Sequence, residues 1–163
     1  MKRTIQLNRR DLALYQDLKT RPEILAMQDF TAHRDTSVYW HSVSVANLSL
    51  LFASRFHISQ KHIRDLILAA MLHDFYLYDY HGRRVRNGWH AWTHPGTALA
   101  NAMKLFDLSP AARNAIRSHM FPGTLFHMPL HAVGWIVSVT DKICAVFELF
   151  GSDRFRSAVL VPV

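Results

Sequence analysis

Residues 135–150, WIVSVTDKICAVFELF, are the most constraining stretch of this chain. The spacing predicts a helix that is apolar on nearly every face. Such a helix belongs at the centre of its fold, with other elements packed around it. Asp141 stands in the middle of the stretch. An isolated buried carboxylate is costly, so it needs a cation, a basic side chain or several hydrogen-bond donors. Lys142 is adjacent in sequence, but positions i and i+1 do not face each other on a helix. The expected partner is therefore a salt bridge from another helix or a bound cation.

Two more polar interruptions have the same character. The apolar run Leu66-Ile67-Leu68-Ala69-Ala70-Met71-Leu72 ends directly on His73-Asp74. Upstream, Val38, Val45, Leu48 and Phe52 form an apolar stripe at helical spacing, and His41 lies on it. Taken singly, a hydrogen-bonded core histidine or a salt-bridged aspartate accounts for each. Taken together, two imidazoles and two carboxylates occupy positions meant for apolar residues. One divalent cation would satisfy all four, and the donor types suit Mn, Fe, Zn, Co or Ni.

The rest of the chain reads as helices. Asn8 caps a helix to about Leu18, and Pro22 starts a short one to about Phe30. Asp35, Thr36 or Ser37 caps a long helix to about Arg55, and Ser59 caps another ending near His73. Thr93 or Pro95 begins a segment to about Phe106. Ser109-Pro110 opens a helix to about His119, and the last helix spans about 131–150 before Gly151. Strand-like alternation is hard to find. The expected fold is an all-α single-domain bundle of six to eight helices. The least regular stretches are 75–92, aromatic and Arg-rich, and 120–130; long irregular segments in compact domains often carry function.

Bulk properties narrow the class. A chain of 163 residues, half of them apolar, suits one globular domain. Its formal charge of +7 suits an anionic partner such as a nucleotide, a phosphate ester or nucleic acid. The single cysteine, Cys144, lies in an apolar run and reads as a buried thiol. MKRTIQLNRRDLALYQ lacks the apolar core of a signal peptide, and no stretch reaches the roughly 18 apolar residues of a membrane span. The expected location is cytoplasmic. Lys and Arg are spread along the chain with no recognition-helix pattern, which argues against nucleic acid as a partner.

The order His41 … His73-Asp74 … Asp141 resembles the H…HD…D signature of the HD-domain superfamily, whose members are all-helical metal-dependent phosphohydrolases. The resemblance covers about residues 35–150 and includes LAAMLHD and IVSVTDKICAVFE. His94 in THPGTALANA and His119 in AIRSHMFPG look like the extra histidines of the two-metal subset. The chain is most similar to small stand-alone bacterial HD proteins, a group related to the HD-type symmetrical diadenosine-tetraphosphate hydrolases. It lacks the Gly-Tyr-Pro motif of cyclic-di-GMP phosphodiesterases and the synthetase domain of the alarmone enzymes.

The resemblance implies that His41, His73, Asp74 and Asp141 hold one metal. Asp74 would bridge to a second, completed by His94 and His119. It further implies hydrolysis of a small phosphorylated compound, a nucleotide by expectation, by a metal-bound hydroxide. Asp79 is a candidate general acid, or else a solvated loop carboxylate or a hydrogen-bond partner of a ligating histidine, and Lys142 is a candidate phosphate contact. Arg83, Arg84 and Arg86 can clamp a phosphate or form a solvated basic loop, and Trp89 and Trp92 can stack a base or simply pack. His90 is a further candidate at the edge of the ligand set, although Pro95 disfavours helical geometry at His94. His33 can approach the site, while His57, His62, His127 and His131 read as surface or loop residues. Two alternatives compete: a non-catalytic nucleotide-binding regulatory HD module, and a basic all-α nucleic-acid-binding protein with a structural metal. A homodimer is compatible with all three readings.

Overall fold

Three helix starts in this protein follow side-chain caps. Asn8 Oδ1 accepts from the Asp11 N–H at 2.8 Å, and helix α1 runs Arg9–Thr20. Pro22 opens the four-residue α2, Pro22–Leu25, which continues as a 3-10 turn over Ala26–Asp29. Ser37 caps α3, Val38–Arg55, and Ser109 caps α6, Pro110–Ser118, by accepting from the Ala112 N–H. Each cap satisfies an amide that the first helical turn leaves without a partner. The computed structural model describes residues 4–79, 90–157 and 159–162. Among them are also α4, Ile63–Leu72, α5, His90–Leu105, and α7, Ala132–Leu149. Gly151, with φ of +76°, ends the chain's central helix.

Seven α-helices among the described residues make a mostly helical bundle. Helix α3 packs on α4 and α7, α6 on α4, α5 and α7. The stripe expected on α3 understates its burial, since every residue from His41 to Leu50 is buried. Several of its polar positions are matched internally. Ser49 pairs with Thr140 of α7 at 2.7 Å, and Tyr15 donates to Asn47 Oδ1 at 2.8 Å. Asn47 Nδ2 in turn donates to the carbonyls of Phe155 and Arg156, which fastens the segment after α7 to α3.

Three local expectations are corrected. Ser59 makes no side-chain cap; a 3-10 turn over Gln60–His62 precedes α4 instead. Helix α5 begins at His90, ahead of Thr93, and contains Pro95. Four short strands are present among the described residues: β1, Thr4–Leu7, pairs parallel with β4, Val159–Pro162, and β2, Thr31–His33, pairs antiparallel with β3, Thr36–Ser37. The β1–β4 pair aligns Ile5 with Leu160 and buries Ile5 and Leu7. No described helix is long and apolar enough to cross a membrane.

Cys144 is buried in the core, and burial pushes its thiol well above the ordinary range. Only the thiolate reacts. The native protein is expected to leave Ellman's reagent uncoloured over an hour and to release one equivalent of chromophore after denaturation. Rapid labelling of the native state would show that α7 opens on its own.

Candidate metal centre

The centre is built where helices end. Helix α4 is fully buried from Leu66 to Leu72, so its end delivers His73 and Asp74 into the interior. His73 Nδ1–H donates to the Ala70 carbonyl at 2.9 Å. His119, just past α6, repeats the device, with Nδ1–H donating to the Ile116 carbonyl at 2.8 Å. Both carbonyls belong to the last turn, which has no amide of its own to offer them. The two histidines thus satisfy their helix ends and turn Nε2 inward. Helix C-termini carry partial negative charge, which favours a cation beyond them. The segment after Asp74 is pinned by Asn101, whose Nδ2 donates to the Phe75 carbonyl at 3.1 Å.

His94 reaches the same point from α5. Its Nδ1–H donates to the His90 carbonyl at 2.8 Å, and its ring stacks on His90 with centroids 4.5 Å apart. The expectation that Pro95 keeps His94 out of helical geometry is therefore corrected. Proline constrains the residue before it only as a preference. Here packing keeps both imidazoles on one face of α5.

All six residues implied by the resemblance come together. His41 Nε2 lies 3.0 Å from Asp141 Oδ1 and 3.3 Å from His73 Nε2. His73 Nε2 is 3.6 Å from both Asp141 Oδ1 and Asp74 Oδ2. On the other side, Asp74 Oδ1 is 3.2 Å from His94 Nε2 and 3.5 Å from His119 Nε2. His94 and His119 set their Nε2 atoms 2.9 Å apart. The ligating atoms of His41, His73 and Asp74 lie within 4.8 Å of one another, as do those of Asp74, His94 and His119. Asp74 belongs to both groups.

These contacts fit a cation better than they fit hydrogen bonds. In His73, His94 and His119 the Nδ1 proton is committed to a carbonyl, so a neutral ring leaves Nε2 as a lone pair. The facing Nε2 atoms of His94 and His119 would then oppose two lone pairs. Asp74 Oδ1 is buried and accepts no hydrogen bond from the described residues. Divalent cations relieve both conditions, and the donor set of imidazoles and carboxylates suits them.

The local fields agree. Burial opposes charge on Asp74 and Asp141. The imidazoles around them outweigh it and hold both carboxyls well below the usual range. Burial likewise opposes charge on His41, but Asp141 and Glu148 raise it to about 10. Burial and then Asp74 act on His94 in opposite directions, with a net rise, whereas burial dominates at His119 and lowers it. Carboxylates and imidazoles at such mutual distances could hold a metal ion.

A pocket of about 290 Å³ opens onto the centre. Asp74, His94, His119 and Asp141 lie on its floor, with His33, Tyr76, His90 and Lys142 on its walls. Lys142 Nζ donates to the His119 carbonyl at 2.7 Å and lies 3.4 Å from Asp141 Oδ2. Although i and i+1 positions do not face each other on a helix, the Lys142 side chain is long enough to bring its ammonium to Asp141. Asp79 is exposed and is not among the residues that line the pocket, and Trp92 likewise points to solvent. Arg83, Arg84, Arg86 and Trp89 lie outside the described residues. His57 and His131 are exposed, and His62 and His127 partly so.

Two contributors were not singled out by sequence. Glu148, two turns after Asp141 on α7, is buried and its Oε2 lies 2.8 Å from His41 Nδ1. The signal was available, since a residue at i+7 shares the face of Asp141. Tyr76 is buried against the pocket, its ring 5.8 Å from that of His94. Nothing in its local sequence separates it from a core aromatic. His33 meets the His41 ring edge-on at 5.1 Å. The sequence matches no known protein-family model, and no curated protein shows significant similarity to it.

Proposed function

We propose that this protein is a divalent-metal-dependent phosphohydrolase of HD type, acting on a small phosphorylated compound such as a nucleotide. The observation that carries the reading is the inward convergence of four imidazole Nε2 atoms on Asp74 and Asp141, with every Nδ1 already engaged. His41, His73, Asp74 and Asp141 would hold one cation. Asp74 Oδ1, with His94 and His119, would hold a second. Such cations, when bound, lower the pKa of water and offset charge on phosphate oxygens.

The chain's own groups supply orientation. Asp74 reaches both halves through its two oxygens, so it sets their spacing. The carbonyls of Ala70, His90 and Ile116 hold three rings against rotation, which keeps the donors pre-aligned. Lys142 stands on the pocket wall with its ammonium anchored by one carbonyl. Its two further N–H donors make only 3.4 Å contacts, so they can turn to a phosphate oxygen. Tyr76 and His33 line the space where the rest of the substrate would sit. Asp79, the candidate general acid, is exposed and is not among the residues that line the pocket, so proton transfer to the leaving oxygen is not assigned to it on geometry.

The test is elemental analysis of protein purified without chelator, followed by a screen of nucleotides and simple phosphate esters for phosphate release. Release that a chelator abolishes and Mn(II) restores is the expected result. Nucleotide binding without turnover in any metal would favour the regulatory alternative.

A further inference from the structure

His41 differs from the other three imidazoles in what braces it. His73, His94 and His119 each donate Nδ1–H to a main-chain carbonyl. His41 Nδ1 instead faces a carboxylate, Glu148 Oε2, at 2.8 Å. Glu148 is buried, and its Oε1 has no hydrogen-bond partner among the described residues. A carbonyl fixes a ring's tautomer. A carboxylate does that and also pushes electron density toward Nε2, which makes it a stronger donor to a metal. A buried carboxylate whose one partner is an imidazole also asks for positive charge beyond that ring.

The negative groups are therefore unevenly divided. Asp141 and, through His41, Glu148 serve the half that contains His41 and His73. Among the described residues, the half that contains His94 and His119 has only its share of Asp74. We infer that Glu148 is a positioning residue that makes the two cation sites unequal. It tightens the His41–His73–Asp141 half so that this half fills first, and the His94–His119 half fills second and exchanges more readily. The inference rests on the two-cation reading above and adds an order of loading to it.

The experiment is calorimetric titration of Mn(II) into chelator-stripped full-length protein, for the wild type, Glu148→Gln and Glu148→Asp. The wild type should show two sites of unequal affinity. Gln keeps the hydrogen bond but removes the charge, and should weaken the tighter site by roughly 10–100-fold, the usual range for such a partner. The weaker site should not move. Asp keeps the charge but withdraws it by one methylene, and should give a smaller loss at the same site. A purely structural Glu148 would lower the melting temperature and leave both affinities of the folded protein alone; that result overturns the inference, as does an equal loss at both sites. If the Gln variant does not fold, the Asp variant makes the same comparison. A wild type that takes up no Mn(II) defeats the metal reading itself. Two unequal sites that shift as described, with no phosphate released from any substrate, would uphold the inference and remove the hydrolytic reading.

Discussion

Asp74→Asn is expected to lower phosphate-ester hydrolysis by at least about three orders of magnitude. Losing one preorganised electrostatic contact commonly costs about 10²–10³ in rate, and Asp74 serves two halves of the centre at once. Its Oδ2 lies 3.6 Å from His73 Nε2, and its Oδ1 lies 3.2 Å from His94 Nε2. The amide is nearly isosteric, but it is neutral and offers an N–H where a lone pair is needed. Replacing any single histidine leaves Asp74 in place and should be less damaging. Rates with p-nitrophenyl phosphate or its diester, set beside far-ultraviolet circular dichroism, make the comparison. A variant that keeps a tenth of wild-type activity, or one that has lost its helices, would falsify the bridging role.

Metal itself should have the second largest effect. A cation that binds only the folded chain stabilises it by about 2.7 kcal/mol at a hundredfold excess over Kd. For a domain of this size that corresponds to a rise in Tm of roughly 5–10 °C. Chelator treatment should therefore lower the melting temperature, and Mn(II) should restore it. Saturated wild type should carry two cations per chain, and His94→Ala or His119→Ala should reduce this towards one. The motivation is that their Nε2 atoms face each other at 2.9 Å beside an unsatisfied Asp74 oxygen. Saturation of the wild type at one cation, unchanged in either variant, would leave a mononuclear centre.

Local chemistry made much of this legible in the sequence. Asn8, Ser37 and Ser109 are residues that cap by accepting from a nearby amide, and the structure uses each in that way. His41, His73, Asp74 and Asp141 stood out because charge inside an apolar helix face demands a partner. What escaped notice depends on distant parts of the chain. TIQL and VLVP are too short to announce strands, and each becomes one only when β1 meets β4. Such pairing depends on neighbours rather than intrinsic preference. Lys142 shows the limit of face arguments for long side chains, because its flexible stem reaches where a shorter one would not. Pro95 shows that a backbone preference of a residue yields to packing when two rings can stack.

The bond between His41 and Asp141 joins residues separated by 100 positions, and α3 and α7 contribute them. A cation shared by the two would act as a staple. A covalent cross-link over a loop of that length is in theory worth about 4.7 kcal/mol because it persists in the unfolded chain, which a dissociable cation does not. A chain with one cysteine has no internal sulfur staple to use. Unlike a covalent staple, a cation would meet its donors only once α3, α4, α5, α6 and α7 are together, so it would act on the folded bundle rather than on the open chain. The loaded protein should then unfold more slowly while folding at nearly the unloaded rate, because contacts made last act on the escape and not on the approach.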